Sequence, residues 1–535
     1  MRKGKMVFAV LWAGLLLGST VVSGRDLDQL QKDFRSRKFG MFIHFNMATF
    51  ADVGGWSTGR EDPAIFRPEK LDMGQWADAA AAAKMEYAIL TVKHTGGWCL
   101  WDSDLTDHDV TAFKNYKNGK GDLVREFVDA FRSRGLKVGL YYCFPLWDAG
   151  WTNYWTLPIE GYAAGTNDAL AFVEGQFREL LTRYGKIDLI WIDQNLCTHG
   201  GLKDGDWRRF KAFVHGLQPD CLVIGNNMHD FADTDVIGYE YPYALELPPS
   251  NNVDVAEVCD KLNAGWFAVA GRPAPPVRSA DYVVNRMLRP LDARNSNYLL
   301  NCSPESTGLL NEKTVALLKE IGRRWNPDEP TKRGDSWSGI LCAPVSKVAT
   351  DRKEVALIFP ASWSVDEMLS AAKTLSEDGG SGTFFVRRDA VKAEPKKLKE
   401  IADLGCGIGN GSKGATPVAA LETGLEIGAE VRAVGNLLGS CFPCVVFRSS
   451  DDRYGDLVWP VLNYFNLIAV KPAETIEPGA VMEVASPDRL ESVLSELDEA
   501  GLKPVSVARL ISGSKEEELK SLAADASAEV VSGAR

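Results

Sequence analysis

Short apolar runs alternate with amphipathic stretches along the first 330 or so positions, and that rhythm comes before any chemistry. Runs at 39–45, 87–93, 137–144, 187–193, 221–226 and 298–302 read as buried strands. Helical spacing marks 122–134, 168–184, 206–217, 281–291 and 313–325, and Gly185 closes the second of these. Strand and helix in turn predict an α/β fold, a (β/α)8-like barrel. Residues 228–276 are less regular, with clustered prolines and no clear helix, so the later repeats should be distorted there. A polar, proline-containing stretch at 327–339 reads as a linker. Alternation then resumes, with strands at 355–359, 383–386, 445–448, 467–470 and 504–507 and helices at 366–375, 396–404 and 488–500. The chain is therefore expected to hold a barrel at 25–326, a smaller α/β domain at 340–512 and a charged, alanine-rich tail at 513–535.

Composition narrows the function classes. At 535 residues the chain is too long for one core, and its net charge of −12 offers no basic excess for nucleic acid. Residues 1–24 place Arg2, Lys3 and Lys5 before an apolar stretch and small residues, which reads as a signal peptide. The apolar run is short for a membrane span, so a secreted or periplasmic soluble protein without stable membrane insertion is expected. Cys441 and Cys444 form the one CxxC pair, which leaves a local disulfide and free thiols both open.

Strand ends carry the candidate chemistry. The run 187–193 stops abruptly on a carboxylate, Asp193, just after Trp191. The first strand ends at His44, the second runs into Lys93, His94 and Trp98, and the third carries Tyr141. Closing a barrel brings such ends onto one rim, where active sites of this fold are built. Aromatic faces, imidazoles, an ammonium and a carboxylate together suit a sugar. Taken singly, each histidine also fits a structural role in the core, and Asp193 also fits a loop cap.

At these residues the chain resembles the α-L-fucosidases of glycoside hydrolase family 29. The resemblance covers about 33–326. It rests on Lys38 to His44, Glu61-Asp62-Pro63, Lys93 to Trp101, Lys120 to Val124, Trp191-Ile192-Asp193, Glu257 with Gly265-Trp266-Phe267, and Asn297 to Pro304. It implies a retaining exo-glycosidase that acts on a fucosylated oligosaccharide or glycoconjugate without cofactor or metal. Asp193 matches the family's nucleophile and Glu257 one branch's acid/base, while Glu240 and Glu246 lie on the same irregular stretch. Substrate contacts would come from His44, Trp56, Lys93, His94, Trp98, Tyr141, Trp191 and Trp266. The family's second histidine after the lysine is Thr95 here, an acid before Trp56 is replaced by Gly55, and Gln194 follows the nucleophile. Because these departures alter the sugar-holding groups, a non-catalytic glycan-binding protein is the alternative class.

The second half resembles a polysaccharide deacetylase, through Ala356 to Phe359, Gly382 to Val386, Gly409-Asn410 and Phe447-Arg448. That family holds a metal with an aspartate and two histidines. Here Pro360-Ala361, Gly411 and Ala415 occupy those places, and all six histidines of the chain precede residue 230. The expectation is a deacetylase-like distorted barrel without an imidazole metal site. Asp451, Asp452 and Glu483 are the carboxylates left for any cryptic cation.

Overall fold

The computed structural model describes residues 25–51, 57–144, 168–193, 204–229, 233–249, 251–331, 344–348, 350–414, 416–438, 445–465 and 467–512. The predicted signal peptide, most of the linker, the C-terminal tail, Trp56, Gln194, Cys441 and Cys444 lie outside them.

Eight parallel strands form the first sheet: β1 (Phe39–Ile43), β2 (Tyr87–Lys93), β3 (Lys137–Cys143), β4 (Leu189–Asp193), β5 (Leu222–Gly225), β6 (Ile237–Glu240), β7 (Ala256–Lys261) and β8 (Ser296–Asn301). Their order, β5-β4-β3-β2-β1-β8-β7-β6, curls into a nearly closed barrel, with the seam between β5 and β6. Side chains alternate between two apolar layers, as a pleated strand requires. Phe42, Tyr87, Tyr141, Trp191 and Leu299 fill the interior, whereas Met41, Leu90, Tyr142 and Ile190 face the helices. Gly40 makes room inside, because a Cβ there would stand 2.3 Å from the Tyr87 ring.

Strands β1 to β5 and β8 fall on the predicted runs within a few residues. Strands β6 and β7, with the sequences IGYE and AEVCDK, lie in the stretch that reads as irregular. The helix expected at 281–291 is wider than an α-helix over Tyr282–Leu288 before it tightens at Arg289–Ala293. Pro290, with no N–H to give, sits at that transition.

A second parallel sheet, β13-β12-β11-β10-β9-β14, is built from β9 (Glu354–Phe359), β10 (Thr383–Val386), β11 (Gly407–Asn410), β12 (Val446–Phe447), β13 (Ile468–Ala469) and β14 (Val481–Glu483). Strand β15 (Lys503–Val505) also pairs with β9. The sheet curls as a half-barrel around Val345, Ile358, Phe385, Ile468 and Val481. No helix among the described residues is long and apolar enough to cross a membrane.

Candidate active site

Three consecutive strands deliver the chemistry to the C-terminal rim. Asp193 is the last residue of β4, Asn226 follows β5 directly, and Glu240 ends β6. The backbone N–H of Asn226 bonds the Ile192 carbonyl at 2.9 Å, which extends the ladder by one residue and fixes the amide. Its Nδ2 then donates to Asp193 Oδ1 at 3.0 Å and to Glu240 Oε2 at 2.7 Å. One amide group thus serves two carboxylates across the barrel seam. Tyr141 donates its hydroxyl to the other oxygen of Asp193 at 2.8 Å. Burial, and then the negative charge of Asp193, push Glu240 up to about 7. Glu240 therefore keeps its proton up to near neutral pH.

An aromatic and imidazole wall stands beside this pair. The ring of His44 packs 4.8 Å from that of half-buried Trp266 and 5.5 Å from that of His94. His94 in turn stacks on Tyr141 at 5.1 Å. Asn301, at the end of β8, gives its Nδ2 to the Trp266 carbonyl and to Ser303, so its Oδ1 faces His44 Nδ1 at 2.8 Å. That polarity makes Nδ1 the protonated nitrogen and leaves Nε2 as an acceptor. Burial draws His44 down to about 3, and burial together with neighbouring His44 holds His94 well below the usual imidazole range. Both rings are neutral at working pH and suited to bonding hydroxyls.

Other residues expected at the substrate make their contacts within the fold. The register of β2 against β3 shifts between Thr91 and Lys93. Lys93 accordingly points into the helix layer, where it donates to the Tyr142 hydroxyl at 3.1 Å and lies 4.3 Å over that ring. Trp98 donates to Glu61 at 3.1 Å and stacks on His108 at 3.5 Å, inside the loop that follows β2. Trp191 lies in the barrel interior beneath Tyr141. Trp56 is outside the described residues.

Glu257 also lies inside the barrel. It is the second residue of β7, paired with Asn297 and Gly238, two positions below the level at which Glu240 pairs with Cys259. Tyr87, the first residue of β2, donates to it at 2.6 Å, and Trp191 Nε1 donates at 3.1 Å. Burial raises it to about 7 as well, so geometry, not acidity, separates it from Glu240. An acid whose folded pKa is raised binds its proton more tightly folded than unfolded. Stability therefore falls as pH rises from the unfolded value of about 4.5 to the folded one of about 7, by roughly 3 kcal/mol in all. Glu257→Gln should flatten that part of the stability curve. Thermal melts of wild type and variant between pH 5 and 8 check it, and parallel curves would count against the buried, proton-holding role.

Nothing in the composition around Asn226 and Asn301 marks them as site residues, and Glu240 is one of several acids on an irregular stretch. The usable signal was positional, since each stands at or just after the end of a barrel strand. A parallel barrel with two half-buried acids meeting on its C-terminal rim, beside stacking aromatic rings, has the layout of a glycoside hydrolase.

Comparison with known proteins agrees. The family model described as Alpha-L-fucosidase matches residues 20–327. Alpha-L-fucosidase 1 of Arabidopsis thaliana is 29% identical over 320 residues, 55% of this chain and 59% of that protein. Plasma alpha-L-fucosidase of Homo sapiens is 30% identical over 339 residues, 56% of this chain and 68% of that protein. Among solved structures, alpha-L-fucosidase isoenzyme 1 from Paenibacillus thiaminolyticus is 29% identical, covering 57% of this chain and 77% of that one, with a TM-score of 0.48. The chain belongs to the α-L-fucosidase family, although it spans less than two thirds of the length of the Arabidopsis relative.

Proposed function

We propose that the protein is a retaining exo-glycosidase that hydrolyses α-L-fucosides of oligosaccharides or glycoconjugates. The observation that carries this reading is the single Asn226 amide bonded to both Asp193 and Glu240. The two bonded oxygens stand no farther apart than those two bonds laid end to end. That fits the roughly 5–5.5 Å between the carboxyls of retaining enzymes better than the ~6.5–9.5 Å of inverting ones.

In the first step ionised Asp193 attacks the anomeric carbon while Glu240 gives its proton to the departing oxygen. In the second, Glu240 takes a proton from water as that water attacks, and the bond to Asp193 breaks. The Tyr141 and Asn226 donors hold Asp193 in line, and neutral His44 and His94 bond sugar hydroxyls beneath Trp266. Glu240 replaces Glu257 as the acid/base in this reading because it shares a donor with Asp193. Holding two half-buried acids on one shared donor costs energy that mere glycan binding would not require, which favours turnover over the non-catalytic alternative. A panel of aryl glycosides separates the two: α-L-fucoside hydrolysis is expected, whereas calorimetric binding of fucose with no hydrolysis of any substrate would support the binding protein.

The C-terminal half is proposed as a deacetylase-like scaffold without that family's chemistry. Arg448 forms a fork with Asp452, both bonds 2.7 Å long, and reaches Glu483 at 2.9 Å. Two of the three carboxylates left for a cation are therefore neutralised by a guanidinium. The purified protein should hold no stoichiometric zinc by elemental analysis and release no acetate from acetylated chitooligosaccharides; either signal would overturn this assignment. Export belongs to the same proposal, resting on residues 1–24, and an N-terminus near Arg25 on extracytoplasmic protein checks it.

A further inference from the structure

Glu240 ends a strand that is paired on one side. Strand β6 is the last in the ladder order; its end is held by pairing with β7, by the Asn227 Oδ1 that accepts the Glu240 N–H at 2.8 Å, and by whatever holds the chain immediately beyond it. That chain is Tyr241–Ala244, a single helical turn, and it is held by the C-terminal half. Tyr241 is fully buried at the junction of the two halves. Its hydroxyl donates to the Pro460 carbonyl and accepts from Asn463 Nδ2 at 3.2 Å, and its ring meets that of Tyr464 edge-on at 5.2 Å. Pro460, Asn463 and Tyr464 all belong to the helix Val458–Tyr464.

A second helix of the C-terminal half closes on the same turn. The turn ends at Leu245, a buried non-glycine residue in the left-handed region at φ 56°. Gly424 opens the helix Gly424–Leu438 against it, and a Cβ there would meet the Ala244 and Leu245 carbonyl oxygens at 2.8 and 2.9 Å. Strained backbone persists where its surroundings over-determine it, and here the surroundings are the other half of the molecule. From the barrel side, Arg278 donates to the Tyr464 carbonyl at 3.1 Å and lies over the Tyr282 and Tyr464 rings.

We propose that the C-terminal α/β half is a positioning element of the active site: by gripping Tyr241 and Leu245 it sets where the Glu240 carboxyl stands relative to Asp193. This rests on the reading of Glu240 as acid/base. Tyr241 is then a positioning residue, acting through its neighbour. A misplaced proton donor harms catalysis in proportion to how much the leaving group needs the proton.

The full-length protein carrying Tyr241→Phe, Gly424→Ala or Glu240→Gln tests this with two aryl α-L-fucosides, one with a poor phenol leaving group and one with a good one. Tyr241→Phe and Gly424→Ala should each lower kcat on the poor leaving group by roughly tenfold. The loss should shrink severalfold on the good one, and the alkaline limb of the pH–kcat profile should move. If either protein fails to fold by thermal melt, Asn463→Leu, which removes the donor to the Tyr241 hydroxyl, takes its place with the same expectation. Equal losses on both substrates, or wild-type kinetics throughout, would overturn the positioning role while Glu240→Gln still showed leaving-group dependence. A Glu240→Gln enzyme with no leaving-group dependence would instead overturn the acid/base reading on which it rests.

Discussion

Asp193→Ala is expected to lower kcat on an aryl α-L-fucoside by about 10⁴-fold or more, because the group that forms the covalent intermediate is removed. Tyr141 and Asn226, which donate to both oxygens of Asp193, remain to border the vacated space. A small anion can enter there. Added azide should therefore restore part of the rate and yield a fucosyl azide of inverted, β configuration, since it attacks the face from which Asp193 would have come. Steady-state rates and proton NMR of the product check both halves. An inert response to azide, with the variant folded, would argue that Asp193 only orients the substrate.

Glu240→Gln has the next largest effect and a more particular signature. General acid assistance is worth roughly 10²–10⁴-fold where the leaving group is poor, and much less where it departs unaided. The variant should lose most activity on alkyl or unsubstituted phenyl fucosides and much less in the first step on dinitrophenyl fucoside. Its pH profile should change too. The wild-type enzyme needs Glu240 protonated to begin, and burial with the Asp193 charge raises that pKa, so activity falls as pH climbs past about 7. Glutamine cannot ionise, and the alkaline limb should vanish with it. Glu257→Gln, bonded to Tyr87 and Trp191 inside the barrel, should keep the wild-type leaving-group pattern. The reverse outcome, with Glu257→Gln selectively losing poor leaving groups, would return the acid to the position that the family resemblance implied.

The contrast between those two glutamates shows where sequence stops being legible. Strands such as Phe39–Ile43 and Leu189–Asp193 are apolar because they are buried on both faces, and that leaves a readable run. Strands β6 and β7 carry glycine, tyrosine and acids, so neither period nor composition announces them. Which glutamate of an unreadable strand reaches the rim depends on register, and register is a property of pairing. Lys93 shows the same limit from the other side. It stands at a strand end, but the shift after Thr91 turns it away from the rim. Asp193 is readable because a short apolar run ends abruptly on it. In the second half the carboxylates at 451, 452 and 483 stand out in the sequence, whereas Arg448, whose guanidinium neutralises two of them, lies at the end of an apolar run and carries no signal of that role.

The central claim, that Asp193 attacks the sugar with Glu240 beside it, is tested most directly by trapping the intermediate. A 2-deoxy-2-fluoro-α-L-fucosyl fluoride has a good leaving group but forms an intermediate that hydrolyses slowly, so a covalent adduct should accumulate. Intact-mass spectrometry should show one added fluorofucosyl group, and peptide mapping should place it on Asp193. A label on any other carboxylate, or turnover of the ordinary substrate that releases the inverted anomer with no adduct at all, would contradict the double displacement and the site built around it.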